Sequence, residues 1–256
     1  ALDGLRLEGA ESTGNGVGHN FIGTDLAWND LGNGGAGIAL DQGASQNRIG
    51  GRTRVPIPGT RARTAMTTPN TIFYNDGAGV SITGGGTAGN PVMQNAIAFN
   101  AGKGIDLAGG GNNGQIPPEV DFIDATAITG SVPDLEAIPA ESVIEIFDDP
   151  GPGTPQGQTF IGAARVRPGG SWILFPLTDP TGLDLVITAT HATLDDTSEF
   201  AVGDGAPAVS FALSRADGLA IPAERPAAFD GEGNLEVLAL VATAGENSVA
   251  LNRILF

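Results

Sequence analysis

The 256-residue chain has no cysteine, one tyrosine, two tryptophans, two histidines and a single lysine, Lys103. Without cysteine there are no disulfides, no thiolate nucleophile and no thiolate metal site, though the compartment stays open. His19 and His191, one tyrosine and no thiol leave acid–base and nucleophilic catalysis little to draw on. No run approaches the roughly 18 uninterrupted apolar residues of a membrane-crossing helix, so no membrane span is expected. No leader-like segment is visible, as in a mature form whose leader has been removed. Positive charge is scarce too: 12 Lys and Arg stand against 29 Asp and Glu, a net charge of −17. Residues 1–115 hold seven basic and eight acidic residues; residues 116–256 hold five and twenty-one. The second half therefore repels phosphate backbones, and no nucleic-acid partner is expected.

What the chain has in abundance is glycine, 40 residues of it, and the glycines are periodic. Gly4-Leu5-Arg6-Leu7, Gly37-Ile38-Ala39-Leu40, Gly79-Val80-Ser81-Ile82 and Gly104-Ile105-Asp106-Leu107 each place two apolar residues around a variable one. That period of two puts both on one face of a short strand, which must stack on a neighbour to bury it. A second element, Asn20-Phe21-Ile22, Asn47-Arg48-Ile49, Asn70-Thr71-Ile72 and Asn95-Ala96-Ile97, recurs at spacings of 27, 23 and 25 residues. Its asparagines are expected to share one phase and to hydrogen-bond up the stack as a ladder. The expected architecture is all-β: a parallel β-helix of about four coils over residues 1–115. Residues 52–69 read as an inserted loop carrying Arg52, Arg54, Arg61 and Arg63, a basic patch suited to docking on the acidic half of a neighbouring copy.

Residues 116–202 hold short alternating strands between Pro/Gly turns such as Asp149-Pro150-Gly151-Pro152-Gly153, the pattern of a β-sandwich, with Trp172 in its core. Residues 203–256 form a β-rich C-terminal segment with strand candidates at 235–241 and 248–256. The run from His19 to Asp25, the run from Leu31 to Ile38, and Ser45-Gln46-Asn47-Arg48-Ile49-Gly50-Gly51 resemble the repeats of bacterial secreted right-handed parallel β-helix proteins. In that family an immunoglobulin-like sandwich commonly follows, and the segments at 128–132, 143–148, 157–162, 185–192 and 197–200 are similar to its strands. The resemblance covers roughly residues 3–201 and implies a fold and an extracellular or cell-surface setting, without implying a chemistry.

Candidate sites are few. Asp148-Asp149 and Asp195-Asp196 are possible calcium ligands, without EF-hand spacing; no other cofactor is expected. In the repeats Asp25, Asp30, Asp41, Asp76 and Asp106 offer carboxylates but no paired-carboxylate motif for glycoside hydrolysis, so no enzyme is expected. A β-helix polysaccharide lyase or glycoside hydrolase is the least favoured alternative. Trp28 and Tyr74 are the only aromatic platforms for a sugar ring in the repeats, the basis of an alternative reading as a glycan-binding adhesin. The favoured expectation is structural: Leu2, Leu5 and Leu7 are already in strand phase with no capping helix ahead of them. Together with the apolar terminal strand bearing Leu251, Ile254 and Phe256, they form contact surfaces for self-assembly. The same opening fits a piece of a longer chain whose earlier coils precede residue 1.

Overall fold

A computed structural model describes residues 2–56, 63–149, 151, 153–203, 211–213, 240–244 and 247–251. It is all-β, with one four-residue 3-10 turn, Gly111–Gly114, as the helical piece among the described residues. No helix among them is long and apolar enough to cross a membrane. Two compact units are present, residues 1–206 and 207–256.

In the first unit the chain passes through three parallel sheets in rotation, each passage making one rung. The first rung is β1 (Leu5–Glu8), β2 (Gly16–Val17) and β3 (Phe21–Ile22); the second starts with β4 (Ile38–Asp41) and β5 (Arg48–Gly50). The expected inserted loop follows and corrects to an antiparallel pair, β6 (Arg52–Pro56) and β7 (Arg63–Thr67), in which Arg52 lies opposite Thr67. Next, β8 (Thr71–Phe73) closes the second rung. The third is β9 (Val80–Thr83), β10 (Val92–Met93) and β11 (Ala96–Ala98), and β12 (Ile105–Ala108) begins a fourth. The sheets run β1-β4-β9-β12, β10-β5-β2 and β11-β8-β3. Leu5, Ile38, Val80 and Ile105 stack in register, as their shared glycine-led repeat requires. Their side chains join Leu40, Ile49, Ile72, Ile82, Val92 and Ile97 in one apolar core.

Seven antiparallel strands follow: β13 (Glu119–Ile123), β14 (Ile128–Ser131), β15 (Val143–Asp148), β16 (Thr159–Arg165), β17 (Ser171–Leu174), β18 (Leu185–Thr190) and β19 (Ala201–Val202). They form two sheets, β13-β14-β17 and β16-β15-β18-β19. Ile128, Trp172 and Leu174 from the first meet Ile144, Ile146, Leu185, Ile187 and Ala189 from the second in a separate core. Trp172 is buried as expected, its indole N–H donating to the Ser131 carbonyl at 3.2 Å. Residues 197–200, expected as a strand, make only a single bridge, Thr190 to Thr197. In the second unit β20 (Phe211–Leu213), β21 (Leu240–Ala244) and β22 (Asn247–Leu251) form an antiparallel sheet in that order.

Every residue of β18 is buried, which an ordinary two-sheet packing does not require. One face, Leu185, Ile187 and Ala189, belongs to the antiparallel core. The other face of the same sheet, with Glu145 and Phe147 on β15, turns to the last rungs of the parallel stack, where Glu145 accepts the Gln94 backbone N–H at 2.9 Å. The phenyl ring of Phe200 packs against the parallel core and meets Phe147 edge-on at 5.4 Å. The parallel and antiparallel sheets are thus joined through a buried seam.

Candidate assembly surface

Each rung turns a corner at an asparagine, and there are three ladders rather than the expected one. Asn15, Asn47, Asn90 and Asn112 make the first. Asn20, Asn70 and Asn95 make the second, and Asn33, Asn75 and Asn100 the third. Asn47 therefore does not share a phase with Asn20, Asn70 and Asn95. Both Asn47 and Asn70 lie in the second rung, on either side of the β6–β7 insertion, and the insertion spaces them as if they belonged to successive coils.

All three ladders point the same way. The backbone N–H and side-chain amide of Asn15 both donate to Oδ1 of Asn47, at 3.0 and 2.8 Å. Asn20 donates likewise to Asn70 at 3.1 and 2.9 Å, and Asn33 to Asn75 at 3.3 and 2.7 Å. From the second rung on, each ladder Oδ1 thus accepts from the rung before it, while the side-chain amides of Asn47, Asn70, Asn90 and Asn95 also donate back to the carbonyls of Ser12, Val17, Ala44 and Ile49 in the preceding rung.

The two ends of the stack differ. At the β10–β11–β12 end the antiparallel half supplies acceptors. Gln156 Oε1 takes the backbone and side-chain N–H of Asn100 at 3.2 and 2.9 Å, as one more ladder asparagine would. Thr197 Oγ1 takes the Val92 N–H at 3.0 Å, and Ile97 exchanges backbone bonds with Gly157. Glu199 accepts the Leu107 N–H at 2.8 Å and both oxygens meet the Lys103 ammonium at 2.9 Å, which holds the lysine pKa above its ordinary value.

At the other end, β1, β2 and β3 are the outermost strands of their sheets. Among the described residues no donor reaches Oδ1 of Asn15, Asn20 or Asn33. Burial records the difference: Asn47, Asn90 and Asn112 are fully buried and Asn70 is 1% exposed, whereas Asn15 and Asn20 are exposed and Asn33 half-buried. Leu5, Leu7 and Val17 are only partly buried against the core that encloses Ile38, Leu40 and Ile49. Beside them Arg6 is bonded to Asp3, Glu8 and Asp41, and Asp41 above all raises the guanidinium pKa.

Of the expected contact residues, Leu5 and Leu7 lie on this end and Leu2 is 84% exposed beside it. Arg52 and Arg54 lie on β6, Arg63 on β7 and Leu251 ends β22; Arg61, Ile254 and Phe256 fall outside the described residues. Trp28 is half exposed at a left-handed φ of 62° and meets Phe73 edge-on at 5.5 Å; Tyr74 stacks on Phe99 at 5.3 Å. The four aspartates do not converge, and no three His, Cys, Asp or Glu among the described residues group to hold a metal. Asp196 is fully buried, its two oxygens accepting from Gly89 N–H and the Asn113 amide. Asp148 accepts the Asp184 N–H and Asp149 the Gln156 N–H; burial raises the Asp149 pKa from its ordinary value. Asp195 is an exposed residue at positive φ. His191 Nδ1 accepts the Thr193 and Leu194 N–H groups, a turn-closing role. Sequence reading missed Asn15, Asn33, Gln156 and Glu199. Asn15-Gly16-Val17 carries the same asparagine-led signal as Asn20-Phe21-Ile22, while nothing local marks Gln156 or Glu199. No protein-family model matches the chain, and no curated protein matches it significantly.

Proposed function

We propose that this chain is a non-enzymatic structural protein of the cell exterior that assembles through the open β1–β2–β3 end. In this reading residues 1–115 are a right-handed parallel β-helix, residues 116–202 an immunoglobulin-like sandwich that seals one end of it, and the whole is akin to bacterial secreted β-helix proteins. The observation that carries the reading is the contrast between the ends. One has its edge N–H groups matched by Gln156, Thr197 and Glu199; the other presents three parallel edges with three asparagine acceptors and a half-covered apolar core. Exposed strand edges and apolar ends are the features that drive β-proteins to associate. A contact between this end and a different part of the next copy is heterologous and builds a filament unless it closes into a ring. Negative-stain electron microscopy of the purified chain at micromolar concentration, with and without calcium, tests this. Regular filaments are expected, and discrete monomers in both conditions would overturn it.

One observation favours a second reading, glycan adhesion. The Trp28, Phe73, Tyr74 and Phe99 rings form one continuous aromatic group with Trp28 and Phe99 half exposed. Retention on polysaccharide columns that Trp28→Ala abolishes would favour it.

A further inference from the structure

Four aromatic rings form a layer on the flank of the stack, outside its core. Ile22, Ile72 and Ile97 point into that core, so the next residue along β8, Phe73, faces the other way by the strand's period of two. Phe73 is nonetheless fully buried. The rings of Trp28, Tyr74 and Phe99 meet it edge-on at 5.5, 5.9 and 5.5 Å.

Trp28 is the strained member of this layer. A bulky residue at left-handed φ is a backbone outlier, and unlike Tyr74 and Phe99 it precedes no ladder asparagine whose bonds offset the cost. Asp25 fastens the turn that carries it. Its Oδ1 accepts the Ala27 and Asn29 N–H groups at 2.9 and 3.1 Å, and its Oδ2 the Asn29 amide at 2.8 Å. The Trp28 N–H donates to the Asp25 carbonyl at 3.0 Å, and the Thr24 hydroxyl to the Asn29 carbonyl at 2.9 Å. Covering Phe73 does not by itself call for an indole with half its surface in water. Strain and exposure held by a dense hydrogen-bond set are the marks of a contact built in advance.

The chemistry around the layer selects the ligand. No Lys or Arg lies between Arg6 and Arg48 or between Arg63 and Lys103, the stretches that supply the four rings, whereas Asp25, Asp30 and Asp76 do. Uronate, sulfate and phosphate groups are therefore repelled. A neutral pyranose fits, because its apolar C–H face suits an indole and its hydroxyls need polar partners. Gly32 brings two such partners together: an added Cβ there would lie 1.9 Å from the Tyr74 carbonyl oxygen and 3.3 Å from Asp30 Oδ1. Asp30 Oδ1 accepts the Gly32 N–H at 3.1 Å, while its Oδ2 and the Tyr74 hydroxyl have no hydrogen-bond partner among the described residues.

We propose that the Trp28 turn is a binding site for a neutral polysaccharide. One pyranose ring stacks on the exposed indole, Asp30 and Tyr74 meet its hydroxyls, and Asp25 is the positioning residue that fixes the indole. The inference rests on the glycan reading above and names the class of glycan.

The full-length chain is passed over immobilised neutral polysaccharides (dextran, laminarin, galactomannan) and acidic ones (polygalacturonate, alginate, heparin). Retention on at least one neutral matrix and on no acidic one is expected, unchanged between about 0.1 and about 1 M salt because no charge pair is involved. Trp28→Ala is expected to weaken it about tenfold or more. Asp25→Ala is expected to weaken it too, with Asp25→Asn recovering part, since an amide oxygen still accepts the two backbone N–H groups. Trp172, the other tryptophan, is buried, so acrylamide quenching of the wild-type fluorescence reports on Trp28. The soluble form of the retaining polysaccharide is expected to shield it. Retention equal to wild type in Asp25→Ala would overturn the positioning role. Trp28-dependent retention on acidic matrices, alone or as strong as on neutral ones, would overturn the inference and leave glycan adhesion standing. Retention on no matrix, or retention without Trp28 dependence or shielding, would overturn both.

Discussion

At residue scale the corners combine a conformational cost with a hydrogen-bond gain. His19, Gln46, Tyr74, Gln94 and Phe99 each sit at φ between 55° and 61° directly before a ladder asparagine. Left-handed backbone costs a non-glycine residue about 1–2 kcal/mol, and the bonds of the asparagine that follows offset it. Where backbone from the next rung approaches closely, only glycine fits. A Cβ on Gly23, at φ 76°, would lie 2.0 Å from the Phe73 carbonyl oxygen. The ladders also predict a gradient along the stack. Asn47→Ala removes bonds to Asn15, Ser12 and Asn90 inside a fully buried site. It leaves several polar groups unmatched at about 1–3 kcal/mol each. Asn15→Ala at the exposed rung is expected to cost about 1 kcal/mol or less. Urea unfolding of the two variants decides this; equal losses would mean that the ladders do not carry the stack's stability.

At the scale of elements, the glycine-led strands β1, β4, β9 and β12 were legible because apolar alternation and a glycine corner repeat within each rung. The insertion between β5 and β8 was legible as an interruption but not as a strand pair, since Arg52, Arg54, Pro56 and Arg63 on these strands read as loop. The seal was not legible at all. Gln156 and Glu199 lie 56 and 92 residues in sequence from the backbone groups they satisfy, and no local pattern encodes a partner at that distance. The seal yields its own prediction. Lys103 is half exposed, so Lys103→Met removes an ion pair screened by water and is expected to cost about 0.5 kcal/mol. Glu199→Ala also strips the acceptor from the Leu107 N–H at a sheet edge and is expected to cost about 1–3 kcal/mol. A double-variant cycle measured by denaturant titration separates the two contributions, and a Glu199→Ala loss no larger than that of Lys103→Met would count against the seal.

At the scale of the whole molecule, acidity dominates, and the aspartates divide by sign. Asp25, Asp124 and Asp179 have pKa values held below the ordinary one, by hydrogen bonds from Asn29, Thr126 and Thr181 respectively. Their stabilisation is present above the unfolded-state pKa of about 4 and is lost as pH falls through the lower folded values. Asp149 runs the other way: burial raises its folded pKa, so its ionisation weakens the fold as pH rises past the unfolded value. Three groups against one predict that the melting temperature falls on acidification below pH of about 4. Asp149→Asn is expected to raise the melting temperature at pH 7 and to give no gain in acid; scanning calorimetry from pH 2 to about 8 tests both, and an equal gain at both ends would contradict the assigned sign.

The sequence by itself determined that the chain is β-structured, that its first half stacks in repeated strands, and that asparagine and glycine turn the corners. These follow from side-chain period and backbone freedom, which act over a few residues. Only the tertiary structure decided that Asn47 and Asn20 serve different ladders, that Gln156 and Glu199 close one end, and that Asn15, Asn20 and Asn33 at the other end meet no donor among the described residues. Those depend on which distant backbone groups meet, and hydrogen-bond matching across a stack is settled by the whole fold.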